Sequence, residues 1–581
     1  MLPFPPPPSS PPAIIWQQIA ELSLQDNNLT SDIRVGENSI DLVEKKKAPS
    51  SYPSKETTLE NLEKDLAVYF SETLQNSLQE EELDQDSDEK TEILLSEAEE
   101  SLDRITKKLE ENFKDPAVSI SQAIQEAERD CIKAFYFLRK KFATPQQTPQ
   151  WIKMKTGGWC VIEPAPYPTT MILSGGGMKG IGYVGAYKAM EESGILQNLS
   201  LIAGSSAGAM MASLIAAGMN APALQSTLDQ TDYLQVLIGH SEDHLLSSHD
   251  FDHKNGFFQG TYAITLMNQA MIQSIKAFFE SISYETLEEQ INYLKTENFL
   301  TEEETLSIFQ LRDALLNTDP DNTLDSHTRS LINTRLLSKL ADANEVQGVD
   351  GAQELSVYNI LDAPSTGATP QFGASVEFRK KSITFQDLAL LHKINPSRFK
   401  KLIVTGFDKT KKQEKYFNME STPLMPVAEA VRISMSLPGV FQPIKDSQGD
   451  ILEDGGVGSN TPTEVSTDPE TTIVCAFDDK GTFYNIVNRE PSPSRFSLKK
   501  WFETSVESAL SGNKNFEKDI NQDHQKIYDA GPNALDIYHG KLSTISFLAS
   551  PASIHAAQLQ AETRMWEQLI LRQNQATYHN F

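Results

Sequence analysis

The amino-acid sequence predicts an α/β protein of three layers, in which a central, mostly parallel sheet lies between two layers of helices. Two short apolar segments, residues 169–173 and 199–203, have the length and composition of buried strands. A segment with helical character, residues 181–193, lies between them and ends at Gly194, since glycine commonly closes helices. A second helix is expected at residues 207–217, which are rich in small side chains. Because strand, helix, strand and helix alternate, the two strands should pair in parallel.

The N-terminal part of the chain differs in composition from the rest. Residues 1–12 are rich in proline, and residues 80–89 carry a dense run of acidic side chains whose mutual repulsion opposes packing. We therefore predict a largely disordered leader over residues 1–100. A helical segment is predicted over residues 101–150, with Asp115 as the cap of a helix that packs against the main domain.

A main domain is predicted over residues 165–570. Between about residues 276 and 380 the pattern changes to charged and helical, and Thr301 and Glu304 have the spacing of a helix capping box. We interpret this stretch as a helical insertion, either a lid over the site or a separate structural lobe. Two further strands are expected near residues 402–405 and 473–476.

Charge and cysteine content exclude several classes of protein. The 581-residue chain has a formal net charge of −29 at pH 7, which argues against a nucleic-acid-binding protein and against general electrostatic attraction to an anionic membrane. The three cysteines, Cys131, Cys160 and Cys475, are far apart and indicate neither a disulfide framework nor a zinc site. Basic clusters at residues 379–381, 398–401 and 409–415 are interpreted as solvated surface.

The first residues lack the basic start and apolar core of a secretory signal, and no stretch of about 18 apolar residues follows. We therefore expect neither a signal peptide nor a transmembrane helix. The sequence fits a cytoplasmic or peripheral membrane protein. A proline-rich, acidic leader equally suits delivery by a specialised, non-classical secretion system.

The strongest local motif is the pentapeptide from Gly204 to Gly208, with Ser206 at its centre. It joins a predicted strand to a predicted helix, the position in which a G-x-S-x-G turn presents an exposed serine hydroxyl. Glycine two residues to either side of the serine relieves crowding in such a turn, and the following helix N-terminus stabilises negative charge. Because a pentapeptide can also match by chance, the neighbouring motifs decide its meaning.

A glycine-rich loop follows the first predicted strand. Successive glycines allow backbone N–H groups to converge on an anion, either a phosphate or a developing oxyanion. Three of its glycines also fit the G-x-G-x-x-G pattern of dinucleotide-binding proteins. That interpretation needs an acidic residue at the end of the second strand, where this chain has the serine motif instead. The loop consists of Gly175, Gly176, Gly177, Met178, Lys179 and Gly180.

The serine motif and the glycine loop should lie side by side. One β-α-β unit separates Gly180 from Ser206, so both loops leave the carboxyl ends of parallel strands. An ester carbonyl at Ser206 would then direct its oxygen towards the glycine-loop N–H groups. A third motif, Asp454-Gly455-Gly456, follows a short apolar pair. It fits either a structural turn or a functional carboxylate that the neighbouring backbone approaches closely.

Together these motifs resemble the three signatures of the patatin-like phospholipase family. Residues 434–443, which contain Pro438, are similar to the segment that precedes the aspartate in that family. Residues 402–408 and 542–547 resemble one of its strands and its closing segment. The resemblance implies the patatin-like form of the three-layer α/β/α fold. It covers about residues 165–275 and 380–570.

The resemblance implies a bacterial-type lipid acyl hydrolase that uses a Ser–Asp dyad. Ser206 would attack an ester carbonyl, Asp454 would accept its proton, and the backbone of the glycine loop, residues 175–180, would form the oxyanion hole. Lys179 stands where the family usually has lysine or arginine. Such a dyad needs no metal, so neither a metal nor a cofactor is expected. Gly204, Gly208, Gly455, Gly456 and Pro438 would support the site.

A Ser–Asp–His triad is the alternative serine-hydrolase interpretation. Four histidines follow Asp454, but none stands in a recognisable histidine motif, and each is interpreted as a surface or core residue. A carboxylate that acts on serine alone has to be desolvated in an apolar cleft, and lipid acyl chains also require such a cleft. The four residues are His524, His539, His555 and His579.

Two functions of different class follow from these motifs. The first is a phospholipase A or lysophospholipase that cleaves carboxylic esters of phospholipids at a membrane surface, with no nucleic acid as partner. The alternative is an inactive or partner-gated patatin scaffold that acts through protein–protein interaction, since the family core explains neither the N-terminal region nor the insertion. An activating protein partner would then engage one of these two regions.

Overall fold

The structure is a computed structural model, and it describes most of the chain between residues 87 and 573. Residues 1–30 and 317–381, which include much of the predicted leader and the second half of the predicted insertion, lie outside the described residues. The described ranges are 87–142, 165–231, 260–316, 382–477 and 533–573, with short gaps, together with the strand segments 31–36, 39–44, 150–154, 158–163, 256–258 and 575–579 and a few isolated residues.

A sheet of eight strands forms the centre of the described part. Five neighbouring strands run parallel, in the order β3-β2-β1-β7-β8, and β4, β5 and β6 add antiparallel pairings beside β3. The strands are β1 (Thr170–Leu173), β2 (Leu201–Gly204), β3 (Lys401–Asp408), β4 (Gln413–Phe417), β5 (Ile444–Lys445), β6 (Ile451–Asp454), β7 (Thr472–Ala476) and β8 (Ala534–Asp536).

The register of the strands brings the three sequence motifs to one edge of the sheet. Leu173 at the end of β1 lies opposite Gly204 at the end of β2, so the glycine loop and the serine motif begin side by side. Gly204 in turn lies opposite Val404 of β3. Asp454 pairs with Gly406, two residues further along β3, so the aspartate reaches the same carboxyl edge from an antiparallel strand.

Both faces of the sheet are buried. Met171 and Leu173 face the main hydrophobic core, whereas Ile172, Ala203 and Val474 form a smaller apolar cluster of their own. Burial on both faces explains why these strands are continuous apolar runs in the sequence, with no alternation of polar residues. The predicted fold class, a three-layer α/β/α arrangement around a mostly parallel sheet, is confirmed.

Helices pack around this sheet and supply most of the core. The helix predicted between the first two strands is α3, and Gly194 with φ 80° ends it as expected. The helix predicted after the serine motif is α4, which is almost wholly buried. The helices are α1 (Ser87–Lys114), α2 (Ile120–Phe142), α3 (Gly182–Ser193), α4 (Ala207–Ala216), α5 (Ala221–Asp229), α6 (Thr261–Ser281), α7 (Tyr284–Thr296), α8 (Glu302–Leu316), α9 (Phe385–Ile394), α10 (Val427–Ser434) and α11 (Pro551–Gln573).

Helices α1 and α2 form a hairpin with a small core of its own. Leu94 and Ala98 of α1 pack with Cys131 and Phe135 of α2. Helix α1 begins at Ser87, inside the range assigned to the leader, because buried residues at helical spacing continue into that range. The rest of the leader and the proposed division at residue 100 stay a prediction.

The second helix of the hairpin begins later than the sequence predicted. Asp115 does not cap it; its Oδ1 accepts the Ala117 N–H at 2.8 Å and forms a turn between the two helices, and α2 starts at Ile120. The prediction that this helix packs against the main domain is confirmed. Tyr136 of α2 contacts the fully buried Trp566 of α11, with ring centroids 5.1 Å apart.

The described part of the predicted insertion belongs to the main core. Its expected start at residue 276 falls inside α6, and buried residues such as Leu287 of α7 and Leu311 of α8 pack into the main hydrophobic cluster. The capping box is confirmed: Thr301 Oγ1 accepts the Glu304 N–H at 3.1 Å, and Glu304 Oε2 accepts the Thr301 N–H at 2.9 Å. Residues 317–381 lie outside the described residues, so the lid stays a prediction.

One of the predicted solvated basic clusters is partly structural. Within residues 398–401, Phe399 is fully buried and Lys400 is 5% exposed. The Lys400 ammonium donates to the carbonyl oxygens of Pro396 and Ser397, at 2.7 and 2.8 Å, which replaces the water it has lost. Burial lowers the pKa of Lys400 to about 8. The cluster at 379–381 lies outside the described residues.

Smaller strand pairs accompany the main sheet. An antiparallel pair joins Ser31–Gly36 to Ser39–Glu44, and Gly158–Glu163 pairs with both Gln150–Met154 and Gln575–His579. Gly256–Phe258 runs parallel to Gly439–Phe441. Among the helices described above, none combines the length and the apolar composition needed to cross a bilayer.

Candidate active site

Ser206 lies at the sharp bend between β2 and α4. Its backbone has φ 51° and ψ −120°, a strained conformation for a residue with a side chain, at a cost of about 1–3 kcal/mol. The bend requires glycine at position 208, because a Cβ atom there would stand 2.2 Å from the Leu173 carbonyl oxygen. The Ser206 N–H donates to Ser434 Oγ at 2.8 Å, and the side chain remains partly exposed. The sequence motif therefore forms the strained turn that G-x-S-x-G predicts.

Asp454, the last residue of β6, faces the serine. Ser206 Oγ donates to Asp454 Oδ2 at 2.8 Å, and the Gly456 N–H donates to Asp454 Oδ1 at 2.7 Å. Because the carboxyl is only 2% exposed, burial raises the pKa of Asp454 to about 7. The two hydrogen bonds oppose this rise of the pKa. Among nearby charges, Glu453 raises the pKa further and Arg432 lowers it.

A buried arginine lies behind this aspartate. Arg432 of α10 is 1% exposed; its Nη1 donates to Ser436 Oγ at 2.6 Å and its Nη2 to the Gln442 carbonyl oxygen at 2.9 Å. Burial lowers the pKa of Arg432 to about 9, which still leaves it a cation at neutral pH. The Ser436 carbonyl accepts the Asp454 N–H at 3.2 Å. The segment after α10, which also contains the partly exposed Pro438, therefore fixes the backbone of the aspartate through this hydrogen bond.

The glycine loop is fixed at both of its ends. The Gly175 N–H donates to the Asn460 carbonyl oxygen at 3.1 Å, and the Met178 N–H donates to the Thr544 carbonyl oxygen at 3.0 Å. Gly177 has φ 55°, and a Cβ atom there would stand 2.2 Å from the same Thr544 oxygen. A side chain at position 177 would therefore be both strained and crowded.

These contacts correct the predicted set of oxyanion donors. Three N–H groups assigned to the oxyanion hole, those of Gly175, Met178 and Lys179, are occupied by protein acceptors. Within the described residues, the N–H groups of Gly176 and Gly177 have no protein acceptor, and both glycines are partly exposed. They follow Gly175, where a Cβ atom would stand 3.1 Å from the Ser206 Cβ.

Lys179 and Gly180 belong to a short 3-10 helix, Gly177–Ile181, which begins at the second of the two free donors. Lys179 is 2% exposed, so its side chain is part of the packed interior behind the loop. A Cβ atom at position 180 would stand 2.8 Å from the Ala207 Cβ, which shows how closely the loop approaches the start of α4. Gly455 lies in the turn after Asp454, and its carbonyl oxygen accepts the Ser459 N–H at 2.9 Å.

No histidine of the described residues contacts the serine or the aspartate. His539 Nδ1 lies 2.8 Å from the Leu542 carbonyl oxygen, and His555 Nε2 lies 3.3 Å from the Gln122 side chain. His524 and the side chain of His579 lie outside the described residues. The described ranges also hold no group of three or more His, Cys, Asp or Glu side chains arranged to bind a metal ion.

Four residues around the site were missed by the sequence analysis. Ser434 fixes the Ser206 backbone, Arg432 stands behind the aspartate, and Asn460 and Thr544 hold the glycine loop. Ser434 lies inside the segment whose resemblance was noted, but its partner is 228 residues away in the sequence. No local pattern could assign such a contact.

The profile of the family described as patatin-like phospholipase matches residues 171–466, just over half of the 581-residue chain. The chain belongs to the patatin-like phospholipase family. The matched range contains the glycine loop, Ser206 and Asp454. Membership of this family supports lipid ester hydrolysis as the general activity of the site.

Individual relatives of this patatin-like protein are more distant. Over 66 residues it is 39% identical to YqhO of Bacillus subtilis (strain 168), an uncharacterized protein; the match covers 11% of this chain and 22% of YqhO. The chain thus matches about a fifth of the length of that relative.

Two solved structures align with about three quarters of this chain at low sequence identity. VipD from Legionella pneumophila is 21% identical, with 76% of this chain and 73% of VipD covered and a TM-score of 0.42. ExoU in the ExoU–SpcU complex of Pseudomonas aeruginosa is 16% identical, with 74% and 57% covered and a TM-score of 0.33.

Proposed function

We propose that this patatin-like protein is a serine esterase of the phospholipase A or lysophospholipase type, with Ser206 and Asp454 as its catalytic dyad. The observation that carries the proposal is the 2.8 Å hydrogen bond from Ser206 Oγ to a carboxylate that is almost fully buried. A carboxylate in water, with a pKa near 3.9, is a weak base for an alcohol. Burial makes Asp454 a stronger base because it destabilises the charged form.

The proposed reaction uses the dyad twice. Ser206 Oγ attacks the ester carbonyl carbon while its proton moves to Asp454 Oδ2, and the carbonyl oxygen becomes an oxyanion. The N–H groups of Gly176 and Gly177 stabilise this charge, as preorganised donors do in acyl transfer. Asp454 then gives the proton to the leaving alcohol oxygen, which belongs to a lysophospholipid when a phospholipid is cleaved and to a glycerophosphodiester when a lysophospholipid is cleaved. A water molecule, deprotonated by Asp454, attacks the acyl-serine and releases the fatty acid, and the proton returns to Ser206.

Apolar side chains beside the serine support an acyl substrate. Met210 lies one helical turn after Ser206, and its N–H donates to the Ser206 carbonyl oxygen at 3.1 Å. It packs between the main core and a smaller apolar cluster that contains Met435 and Phe441, with Leu437 at its edge. An acyl chain against such side chains would gain about 0.8 kcal/mol for each buried CH₂ group. The net charge of −29 favours zwitterionic over anionic lipid surfaces.

The test is release of fatty acid from phosphatidylcholine vesicles and from lysophosphatidylcholine by the purified protein. We expect release by the wild-type protein and a loss of at least about 10³-fold in Ser206→Ala and Asp454→Asn. Ser205→Ala is the matched control, since Ser205 is the neighbouring buried serine and its Oγ has no hydrogen-bond partner among the described residues. Its activity should stay within about twofold of the wild type.

Each outcome of this test has a distinct meaning. Release by the wild type and by Ser205→Ala, but not by the two dyad variants, supports the proposal. Release by the wild type only after cell lysate is added indicates the partner-gated alternative. If the folded wild-type protein releases no fatty acid with or without lysate, the dyad proposal is refuted.

A further inference from the structure

We infer that Asn460 is a positioning residue that aims the Gly176 N–H at the oxyanion. The inference rests on the proposed function and extends it to a residue that does not touch the reacting atoms. Asn460 lies six residues after Asp454, in the loop that leaves β6, and it is partly exposed next to the glycine loop.

Asn460 binds both sides of Gly175. Its backbone carbonyl accepts the Gly175 N–H at 3.1 Å, and its side-chain Nδ2 donates to the Gly175 carbonyl oxygen at 3.3 Å. The fit is close, because a Cβ atom on Gly175 would stand 2.4 Å from Asn460 Oδ1. The side chain therefore contacts one particular peptide group of the loop.

That peptide group contains the proposed donor. The Gly175 carbonyl and the Gly176 N–H belong to the same planar trans peptide, in which C=O and N–H point in opposite directions. A hydrogen bond that holds the carbonyl towards Asn460 therefore turns the Gly176 N–H away from Asn460. Rotation of this peptide would misdirect the donor even if the glycine Cα atoms did not move.

The other donor is fixed without a side chain. The Gly177 N–H shares its peptide with the Gly176 carbonyl, which accepts the Lys179 N–H at 3.2 Å. The next peptide is held by the bond from the Met178 N–H to Thr544. Among these contacts, a side chain orients only one peptide of the loop, the one that contains the Gly176 N–H. Substitution of Asn460 should therefore misdirect one oxyanion donor and leave the other in place.

The turn that joins the base to Asn460 has hydrogen bonds of its own. The Gly456 N–H binds the Asp454 carboxylate, and the Gly455 carbonyl oxygen accepts the N–H groups of Gly458 and Ser459 at 3.1 and 2.9 Å. The turn from Asp454 to Asn460 therefore sets both the base and the Gly175 peptide.

The experiment compares Asn460→Ala and Asn460→Asp with the wild type. Both variants remove the Nδ2 donor, and the second keeps the shape of the side chain. We expect kcat to fall about 10- to 100-fold with KM changed less than about threefold, because the oxyanion exists only after attack on the carbonyl. Affinity for an acyl trifluoromethyl ketone, which forms an oxyanion on Ser206, should fall by the same factor as kcat/KM. Affinity for a non-hydrolysable ether lipid should not change.

Asn533→Ala is the matched control. Asn533 Nδ2 likewise donates to backbone, to the carbonyls of Pro469 and Glu470 at 3.2 and 3.1 Å. These residues precede β7 and β8, so they lie at the edge of the sheet opposite the dyad. Its loss should lower the melting temperature without changing kcat or ketone affinity. A kcat of Asn460→Ala within twofold of the wild type, a change confined to KM, or an equal loss in Asn533→Ala would overturn the inference. If Ser206→Ala retains wild-type turnover, the proposed function has failed instead.

Discussion

The buried state of Asp454 makes the pH dependence of turnover a sharp prediction. The proposed base works only when it is ionised, so kcat/KM of the wild-type protein should rise with pH through a midpoint near the pKa of about 7. For one ionisation at that pKa, the active fraction is about 9% at pH 6 and about 91% at pH 8, a tenfold difference. An unburied aspartate, with a pKa near 3.9, would give a flat profile over the same range.

A second perturbation tests the cause of this pKa. Arg432 lowers the pKa of Asp454, so its replacement by methionine should move the midpoint of the profile to higher pH. Arg432→Lys retains a positive charge and serves as the conservative variant, with a smaller movement. Lys411→Met removes a different cation, which pairs with Asp450 outside the dyad, and should leave the midpoint unchanged.

The assay is fatty-acid release from a soluble short-chain lysophospholipid between pH 5 and pH 9, measured by mass spectrometry. Each sample is also returned to pH 8 and measured again, so that irreversible loss of folded protein is separated from titration. A midpoint below pH 5, or a profile that is flat from pH 5 to pH 9, would refute the argument that a desolvated carboxylate is the base. A midpoint unmoved in Arg432→Met would refute the role assigned to the arginine.

Two stability predictions follow from the same structure. The pKa of Asp454 is raised in the folded state, so its contribution to stability is present below pH 4 and is lost as pH rises through 7. Asp454→Asn has no carboxyl at this position and so lacks this loss. In denaturant titrations, the free energy of unfolding of the variant minus that of the wild type should increase by up to about 4 kcal/mol between pH 4 and pH 8. No increase would contradict the burial argument. Thr301→Ala removes the cap of α8 and should cost about 1 kcal/mol of unfolding free energy with kcat unchanged. A loss of turnover in that variant would show that α8 communicates with the site.

The sequence predicted those parts of the fold that depend on local composition. Strands β1 and β2 were found because both of their faces are buried, which leaves an uninterrupted apolar run. The bend at Ser206 was found because its signal is local: a five-residue motif with two glycines joins a predicted strand to a predicted helix. Asp454 could be assigned to the serine only through the family resemblance, since the two residues are 248 positions apart.

The remaining parts depend on contacts that no short window contains. Asn460 and Gly175 are 285 residues apart, so neither motif indicates that they form a pair of hydrogen bonds. The occupied N–H of Met178 was missed because its acceptor, Thr544, comes from the other end of the domain. The start of α1 was missed because acidic residues dominate its sequence, although its buried stripe recurs at helical spacing.

The strand order also fixes how short a working fragment of this protein can be. The family match ends at residue 466, before β7 and β8 of the sheet and before α11. A fragment cut at that point would turn the central strand β1 into an open edge, an apolar template for association between chains. Removal of the α1–α2 hairpin would likewise uncover Trp566. The three sequence motifs lie within half of the chain, but a fragment without exposed apolar edges needs the C-terminal fifth and the hairpin as well.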